Sequence, residues 1–272
     1  MNMHPIAVIS PLILIMIVYF YIQGNVPKIN SVTIRSDKLP STAELRILQI
    51  SDLHGKQFPR GCKQLLRKIE KLRPEIIVMT GDMIDVNTRK FGAVYSFIEA
   101  LQQIQPHIYY VCGNHERKNP LGSAFVNGLA VKGVYILNNR NTLYKNKEIS
   151  LCLCGVDDPH TKQDRLELAM KGVDDEKYIL LLAHSPKIIN RRGPVKADLI
   201  LSGHTHGGQI RLPFIGAVIS SGDGFFPKYN KGLYFLSENQ LLHIDSGLGT
   251  RLIPIRAFNR SQVSILYLKG PS

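Results

Sequence analysis

The sequence predicts an α/β fold in which two packed, mixed β-sheets are flanked by helices, an α/β/β/α sandwich. Two observations support this fold class. Between residues 45 and 111, short apolar runs of strand length alternate with longer runs of helical periodicity. After residue 134, strand-like runs follow one another with a single helical interruption. The alternating half favours a sheet of parallel strands, and the strand-rich half favours a second sheet packed on the first.

The first element is an apolar run from Ile6 to Ile22, which Ser10 and Pro11 interrupt. Its seventeen residues are at the short end of the length range for a membrane span. A cleavable signal peptide usually has Lys or Arg before its apolar run, but this sequence has neither there. We therefore expect residues 1–25 to form an uncleaved, single-pass membrane anchor. Basic residues follow the run at positions 28, 35 and 38, which favours the cytoplasmic side of the membrane for the domain that follows.

Residues 26–44 are expected to be a linker because they carry scattered glycine, proline and polar residues, with one edge strand over residues 31–35. A single large domain over residues 45–270 follows. Its first half is predicted to contain strands over residues 45–50, 75–79 and 107–111 and helices over residues 61–72 and 91–104. Its second half is predicted to contain one helix over residues 162–171 and strands around residue 135 and over residues 142–144, 149–156, 178–182, 199–202, 208–212, 233–236, 240–245 and 262–268.

The composition is that of a globular protein with a strongly basic balance. Hydrophobic residues make up 44% and charged residues 20%, which argues against disorder. The net charge of +13 favours anionic partners such as phosphorylated substrates, acidic lipids or nucleic acid, although a solvated basic surface is an equal alternative. The four cysteines contain no C-x-x-C spacing, and we expect free thiols.

Polar residues with metal-binding side chains follow five of the predicted strands. Any one of them has an ordinary explanation, such as a helix cap, a turn or a buried hydrogen bond. Their recurrence at the carboxyl ends of strands, where α/β sheets bind ligands, instead favours one cluster. Its members are Asp52, His54, Asp82, Asn114, His184, His204 and His206.

This ligand set predicts the type and number of ions. Imidazole, carboxylate and amide ligands without cysteine favour Mn, Fe, Zn or a similar divalent ion over calcium or a structural zinc. Seven ligands are more than a single ion can bind while it also keeps a water molecule. We therefore expect two divalent ions that share a carboxylate, most simply that of Asp82.

The five blocks Asp52-x-His54, Gly81-Asp82, Gly113-Asn114-His115-Glu116, His184 and Gly203-His204-x-His206 together resemble the signature of the calcineurin-like metallophosphoesterases. The similarity spans residues 45–268 and keeps the order of the blocks. The apolar run at the front, the Gly-Gly-Gln after His206 and the Gly-Leu-Gly-Thr at residues 247–250 resemble the bacterial membrane-anchored branch. That branch includes phosphodiesterases of undefined substrate and a UDP-diacylglucosamine pyrophosphatase.

The resemblance implies roles for individual residues. One ion would be held by Asp52, His54, Asp82 and His206, and the other by Asp82, Asn114, His184 and His204. His115 would be the general acid, oriented by a neighbouring carboxylate, or else a hydrogen-bonding residue without catalytic duty. Glu116 could position His115 or cap a helix and stays unassigned. Hydroxide bridging the ions would attack phosphorus without a side-chain base.

Three functions remain open at this point. The first is membrane-anchored hydrolysis of a phosphodiester or pyrophosphate, including one linked to a lipid. The second is a nucleotide or nucleic-acid phosphodiesterase, although no dedicated nucleic-acid module is evident. The third is a catalytically inactive scaffold with the same fold. A loop-rich insertion over residues 212–229 could contact an acyl chain or form an ordinary flap, and Arg251, Arg256 and Arg260 could contact an anion or lie on the surface.

Overall fold

Two six-stranded mixed sheets pack face to face in the computed structural model, which describes residues 5–58, 62–190, 195–220, 224–251 and 254–271. Helices cover the outer faces, so the predicted α/β class with two mixed sheets is confirmed. Alternate residues of a strand point to opposite faces of its sheet, so each sheet directs one set of side chains inward. Apolar side chains from both sheets, such as Ile47, Val78, Leu151 and Leu180, fill the space between them.

The first sheet consists of β1 (Lys28–Arg35), β2 (Glu44–Ile50), β3 (Ile76–Thr80), β4 (Ile108–Val111), β5 (Tyr135–Ile136) and β16 (Gln262–Lys269). Its strand order is β1, β16, β2, β3, β4, β5. Strands β2 to β5 are parallel, β16 is antiparallel to β2, and β1 pairs with β16 in parallel. The edge strand predicted over residues 31–35 is therefore present and longer.

The second sheet consists of β6 (Arg140–Lys145), β7 (Ser150–Gly155), β8 (Tyr178–Leu182), β9 (Leu199–Ser202), β14 (Gly232–Ser237) and β15 (Gln240–Ile244). Its strand order is β14, β15, β9, β8, β7, β6. The four central strands are parallel, and the two edge strands are antiparallel to their neighbours. Two hairpins stand apart from both sheets and consist of β10 (Arg211–Leu212) with β11 (Gly216–Ala217) and β12 (Ile219–Ser220) with β13 (Gly224–Phe225).

Three helices pack on the outer face of the first sheet through apolar side chains at helical spacing, such as Leu65 and Ile69. They are α2 (Lys63–Leu72), α3 (Gly92–Ile104) and α5 (Gly122–Val131). The remaining helices of the domain are the short α4 (Asn114–Lys118) and α6 (Leu166–Ala169) and the 3-10 helices Pro159–Thr161 and Pro186–Asn190. Residue 61, the predicted start of α2, lies outside the described residues.

Two predicted elements are much shorter in the structure. The helix predicted over residues 162–171 is only α6, because polar side chains engage the backbone before it: Asn139 Oδ1 accepts the Arg165 N–H at 2.7 Å. The strand predicted over residues 208–212 is reduced to β10. Gly208 has a φ of 64°, a left-handed conformation that a strand does not contain.

The predicted membrane anchor is wrong. Residues 5–25 form helix α1 (Pro5–Asn25), but no helix in the described part of the chain is long and apolar enough to cross a membrane. This finding also overturns the predicted single-pass localisation with the domain on the cytoplasmic side. The end of α1 is bound to the domain, where Ser261 N–H donates to Gln23 O at 2.8 Å.

Gln49 connects the two sheets inside the sandwich, directly beneath the ends of β2 and β9. Its Nε2 donates to Ser202 O at 2.8 Å and to Thr80 Oγ1 at 3.1 Å. Its Oε1 lies 2.8 Å from Nδ1 of His243, a fully buried residue of β15. These polar groups satisfy one another in an otherwise apolar interior and fix the position of one sheet on the other.

The buried His243 predicts an acid-sensitive stability. Burial lowers the pKa of His243 from its usual 6.5 to about 4, so between these pH values the unfolded chain binds a proton that the folded chain does not. The free energy of unfolding should therefore fall as the pH drops from 6.5 to 4, by about 3 kcal/mol from this residue.

We expect the His243→Gln variant to lose this contribution, so that urea unfolding at pH 7 and pH 4.5 gives a smaller difference than in the wild type. The exposed His107→Gln variant is the matched control and should keep the wild-type pH dependence. Equal pH dependence in wild type and His243→Gln would show that His243 is not the group that titrates.

Candidate metal centre

All seven predicted ligands lie just past the carboxyl ends of five parallel strands, at the same edge of the sandwich. Strands β2, β3 and β4 of the first sheet lead to Asp52 and His54, to Asp82 and to Asn114. Strands β8 and β9 of the second sheet lead to His184 and to His204 with His206. The two sheets thus bring together residues that are far apart in the sequence.

The backbone at this edge is strained. Five of the seven residues have φ values between 50° and 70°, which are Asp52, His54, Asp82, His204 and His206. A left-handed conformation costs a residue other than glycine roughly 1–2 kcal/mol. Such strain is characteristic of functional sites, where the surrounding structure holds a residue in an unfavourable conformation.

Two glycines allow the loops to approach closely. A Cβ atom on Gly203 would lie 1.8 Å from Ser51 Oγ, and one on Gly113 would lie 2.2 Å from Asp82 Oδ1. Neither contact is possible, so both positions require glycine for the loops to meet at this distance.

The first group of side chains consists of Asp52, His54 and His206, whose potential ligand atoms all lie within 4.8 Å of one another. The Nε2 atoms of the two histidines are 3.1 Å apart, and their rings stack with centres separated by 4.9 Å. Asp52 Oδ1 lies 3.6 Å from His206 Nε2. Both oxygens of Asp52 also accept the His204 N–H at 3.1 Å, which fixes the carboxylate.

The second group consists of Asp82, His184 and His204 and meets the same distance limit. His184 Nε2 lies 3.2 Å from Asp82 Oδ2 and 3.1 Å from His204 Nδ1. His184 Nδ1 faces Thr80 O at 2.7 Å, which leaves Nε2 directed at the group. Asn114, the first residue of α4, is buried, and its Oδ1 has no hydrogen-bond partner among the described residues.

Asp82 lies between the two groups. Its Oδ2 is 3.2 Å from His184 Nε2 in the second group and 3.8 Å from His54 Nε2 in the first. Its Oδ1 accepts the His115 N–H at 2.8 Å. Of the carboxylates in the two groups, Asp82 is therefore the one placed to serve both.

Burial keeps most of these imidazoles neutral, the form that binds a metal ion. It lowers the pKa of His54 to about 4 and the pKa of His204 and of His206 well below the usual value. Burial also opposes the protonation of His184, but the negative charge of Asp82 outweighs it and raises the pKa of His184 well above the usual value. The site thus stabilises positive charge next to Asp82.

His115 lies beside both groups, and the neighbouring carboxylate expected for it is Asp85. Asp85 Oδ2 is 3.1 Å from His115 Nδ1, and His115 Nε2 is 3.9 Å from Asp82 Oδ2. Val86 N–H also points at Nδ1, at 3.3 Å. Burial lowers the pKa of His115, and the neutral ring can accept the Val86 N–H at Nδ1, whereas a proton on Nδ1 would be donated to Asp85. Asp85 was not among the residues predicted from the sequence, although it follows Asp82 by only three residues.

Glu116, which the sequence left unassigned, is a positioning residue for the Asp82 turn. Its carboxylate is buried and accepts backbone N–H groups from both sides of the site. The donors are Asp82 at 2.9 Å, Met83 at 2.6 Å, Ile84 at 3.2 Å and Gly113 at 2.9 Å. Burial raises the pKa of Glu116 to about 7. Through Gly113, the residue before α4, the same carboxylate also caps that helix.

Two of the three arginines considered for anion binding have structural roles instead. Arg256 is fully buried, and its guanidinium donates to Gly249 O at 2.6 Å and to Ser246 O at 2.6 Å. Arg260 donates through Nε to Val26 O. Both side chains donate to carbonyl groups of nearby loops, so neither lies on the surface as a free charge.

The base of the insertion is bound to the turn that carries His206. Thr205 Oγ1 donates to Asn230 O at 2.6 Å, and Arg211 Nη1 donates to Gly207 O at 2.7 Å. Beyond this base, Phe214, Phe225 and Phe226 are exposed. Lys231 is directed into the fold, where its Nζ donates to Asn259 Oδ1 at 2.9 Å. Residues 221–223 of the insertion lie outside the described residues.

Comparisons with known proteins agree with this geometry. The family model described as calcineurin-like phosphoesterase matches residues 45–208. An uncharacterized metallophosphoesterase of Aquifex aeolicus is 30% identical over 264 residues, which cover 93% of this chain and 95% of that protein. The Bacillus subtilis metallophosphoesterase YkuE is 27% identical over 257 residues, which cover 92% of this chain and 88% of that protein.

Solved structures share the fold at low sequence identity. The NAD nucleotidase of Haemophilus influenzae superposes with a TM-score of 0.52 at 16% identity, covering 77% of this chain and 46% of its own. The 5'-nucleotidase precursor of Thermus thermophilus superposes with a TM-score of 0.50 at 15% identity, covering 76% of this chain and 49% of its own. The chain thus matches about half the length of each of these structures.

Proposed function

This chain belongs to the calcineurin-like phosphoesterase family, and from that premise we propose that it is a two-metal phosphohydrolase that cleaves a phosphodiester or pyrophosphate bond. One observation carries the proposal: two groups of buried ligand atoms meet at one edge of the sandwich, with Asp82 between them. A binding scaffold of the same fold would not need this arrangement.

The residues present fit two divalent ions, the number that is normal for the family. We assign Asp52, His54, Asp82 and His206 to one ion and Asp82, Asn114, His184 and His204 to the other. The Nε2 atoms of His54 and His206 face each other at 3.1 Å, a pairing that a cation between neutral imidazoles would suit. The buried Asn114 Oδ1, without a hydrogen-bond partner among the described residues, is available as an oxygen ligand. The set suits Mn, Fe, Zn or a similar ion.

When bound, two such ions acidify water and neutralise the charge that grows on a phosphoryl group. The chain itself supplies the proton for the leaving oxygen, and we assign this role to His115. In its protonated form, Nδ1–H would donate to the Asp85 carboxylate, and Nε2–H would be available to protonate the leaving oxygen. Glu116 holds the Asp82 turn and the Gly113 turn in fixed relation, so that acid and ligands keep their positions.

The substrate is proposed to be a phosphorylated anion, and the insertion supports one that also carries an apolar part. Phe214, Phe225 and Phe226 are exposed on a segment whose base is bound to the His206 turn. Exposed aromatic side chains of this size beside a binding site favour contact with an acyl chain. The net charge of +13 equally suits a nucleotide or nucleic-acid diester, which remains the second candidate.

The test uses the full chain loaded with Mn²⁺. We expect it to hydrolyse bis-p-nitrophenyl phosphate faster than p-nitrophenyl phosphate, to lose activity with a chelator and to regain it on addition of Mn²⁺. A lipid pyrophosphate and a cyclic nucleotide then separate the two candidate substrates. Absence of turnover with Mn²⁺, Fe²⁺, Zn²⁺ and Co²⁺ alike would leave only the scaffold.

A further inference from the structure

His206 belongs to a turn with a strained backbone. Its φ is 51°, and Gly207 and Gly208 follow it with φ values of 64° each. Glycine tolerates this left-handed conformation, but a histidine keeps it only where the surrounding structure holds it. The position of the His206 side chain in the first group therefore depends on the contacts that hold this turn.

The imidazole ring of His206 has little hydrogen-bonding support of its own. A metal-binding histidine usually donates the ring N–H that faces away from the ion to an acceptor, which fixes the ring. His184 is placed to do this, with Nδ1 2.7 Å from Thr80 O. By contrast, Nδ1 of His206 is buried and has no hydrogen-bond partner among the described residues. The orientation of this ring thus depends on its backbone and on stacking with His54.

Asn259 binds the backbone of His206 directly. Its Nδ2 donates to His206 O at 2.6 Å. Its side chain also packs against the next residue, where a Cβ on Gly207 would lie 3.0 Å from both Nδ2 and Oδ1 of Asn259. Asn259 is only 1% exposed, so this hydrogen bond is shielded from solvent. The contact therefore acts on the strained residue itself, although Asn259 is not one of the proposed ligands.

Asn259 is itself fixed by several hydrogen bonds. Lys231 Nζ donates to its Oδ1 at 2.9 Å, which leaves Nδ2 directed at His206 O. The buried Arg256 donates through Nη1 to Asn259 O at 3.4 Å. Residues 260 and 261, which follow in the chain, donate to carbonyl groups at the end of α1. Because its own side chain and backbone are held, Asn259 can hold the His206 turn against its strain.

We propose that Asn259, oriented by Lys231, is a positioning residue that holds His206 in place for the ion of the first group. This role rests on the proposed two-metal function and concerns how one of the two ions is retained. Changing a group that fixes a metal ligand typically lowers metal affinity about 10- to 100-fold. Only the ion of the first group should be affected, because His206 is not a member of the second group.

The experiment titrates Mn²⁺ into the metal-free full chain by calorimetry, in two backgrounds that should each keep one ion. His204→Ala should keep the ion of the first group, and His206→Ala that of the second. We expect Asn259→Asp to weaken Mn²⁺ binding about 10- to 100-fold in the His204→Ala background and to leave it unchanged in the other. Aspartate matches asparagine in size and keeps an oxygen for Lys231, but its carboxylate cannot donate to His206 O. Lys231→Met leaves the amide of Asn259 without its orienting partner and should weaken the same ion.

The matched control is Asn141→Asp on the edge strand β6. Asn141 Nδ2 donates to Ala169 O at 2.8 Å, so the same change removes the same kind of hydrogen bond and should leave Mn²⁺ affinity unchanged. Melting temperatures of the metal-free proteins show that the fold is retained. Unchanged Mn²⁺ affinity of Asn259→Asp and Lys231→Met in the His204→Ala background, or an equal loss in both backgrounds, would overturn the positioning role. If the first ion is weakened selectively but the wild type does not hydrolyse bis-p-nitrophenyl phosphate, the proposed function fails and the role of Asn259 stands.

Discussion

The Asp82→Asn variant is expected to lose about 10⁴-fold in turnover of bis-p-nitrophenyl phosphate and to bind fewer than two ions. Asp82 Oδ2 lies 3.2 Å from His184 Nε2, 3.8 Å from His54 Nε2 and 3.9 Å from His115 Nε2. The substitution removes the negative charge that these three groups share. Steady-state kinetics and metal analysis of the purified protein measure the two effects.

The fold should survive this substitution. Asp82 has a φ of 53°, and asparagine tolerates the left-handed conformation at least as well as aspartate. The side-chain oxygen of asparagine can still accept the His115 N–H that Asp82 Oδ1 accepts at 2.8 Å. The exposed Asp37→Asn variant, which makes the same chemical change, should keep full activity. An Asp82→Asn protein with two ions and near wild-type turnover would contradict the shared role.

His204→Ala and His206→Ala are each expected to lose one ion, and the ion lost should differ between them. His206 belongs to the group with Asp52 and His54, whereas His204 belongs to the group with Asp82 and His184. Their side chains, separated by one residue, are therefore expected to serve different ions. Metal analysis should fall from two ions per chain to one in each variant, with loss of the magnetic coupling between paired Mn²⁺ ions.

The double variant decides whether the two histidines serve the same ion. If they serve different ions, the protein with both substitutions should bind neither. If both served the same ion, the double variant would still bind the other one. A double variant that keeps one ion, or single variants that each lose both ions, would contradict the assignment.

The sequence placed the seven candidate ligands at the ends of strands because each of them directly follows a short apolar run. Short apolar runs followed by Asp, His or Asn sufficed to place seven side chains at five strand ends. Strands β2, β3 and β4 are parallel to one another in the first sheet, as are β8 and β9 in the second, so the carboxyl ends of the strands within each sheet meet at one edge. Asp85 was missed because it lies three residues beyond its strand-end motif and contacts His115 only in the folded protein.

Helix α5 could not be predicted because its stability comes from packing. Its ten residues include Gly122 and Gly128, which have low helix propensity. In the structure Gly128 lies against Tyr95, where a Cβ would come within 2.1 Å of the hydroxyl group. That hydroxyl donates to Phe125 O at 3.1 Å, so the contact with α3 holds the helix in place. Neither interaction can be read from the periodicity of the segment.

The position of Arg256 was also not predicted from the sequence. Charge suggested an anion contact or an exposed position, yet the residue is fully buried and donates to the carbonyl groups of residues 246, 247, 249 and 259. The apolar run at residues 6–22 was predicted to be a membrane span from its hydropathy alone. Hydropathy does not show that the end of this helix contacts the domain, where Gln23 O and Gly24 O accept hydrogen bonds from Ser261.

Because the proposed ligands come from both sheets, bound ions would hold the two sheets together as well as take part in the chemistry. Each ion would draw ligands from both halves of the sandwich, and His54 and His206, which meet at 3.1 Å, are 152 residues apart in the chain. An ion in that position acts as a removable cross-link between the sheets, and its binding stabilises the folded state by mass action. Metal starvation would then loosen the seam between the sheets and expose the chain to proteolysis, so the supply of ions would set the lifetime of the protein as well as its turnover.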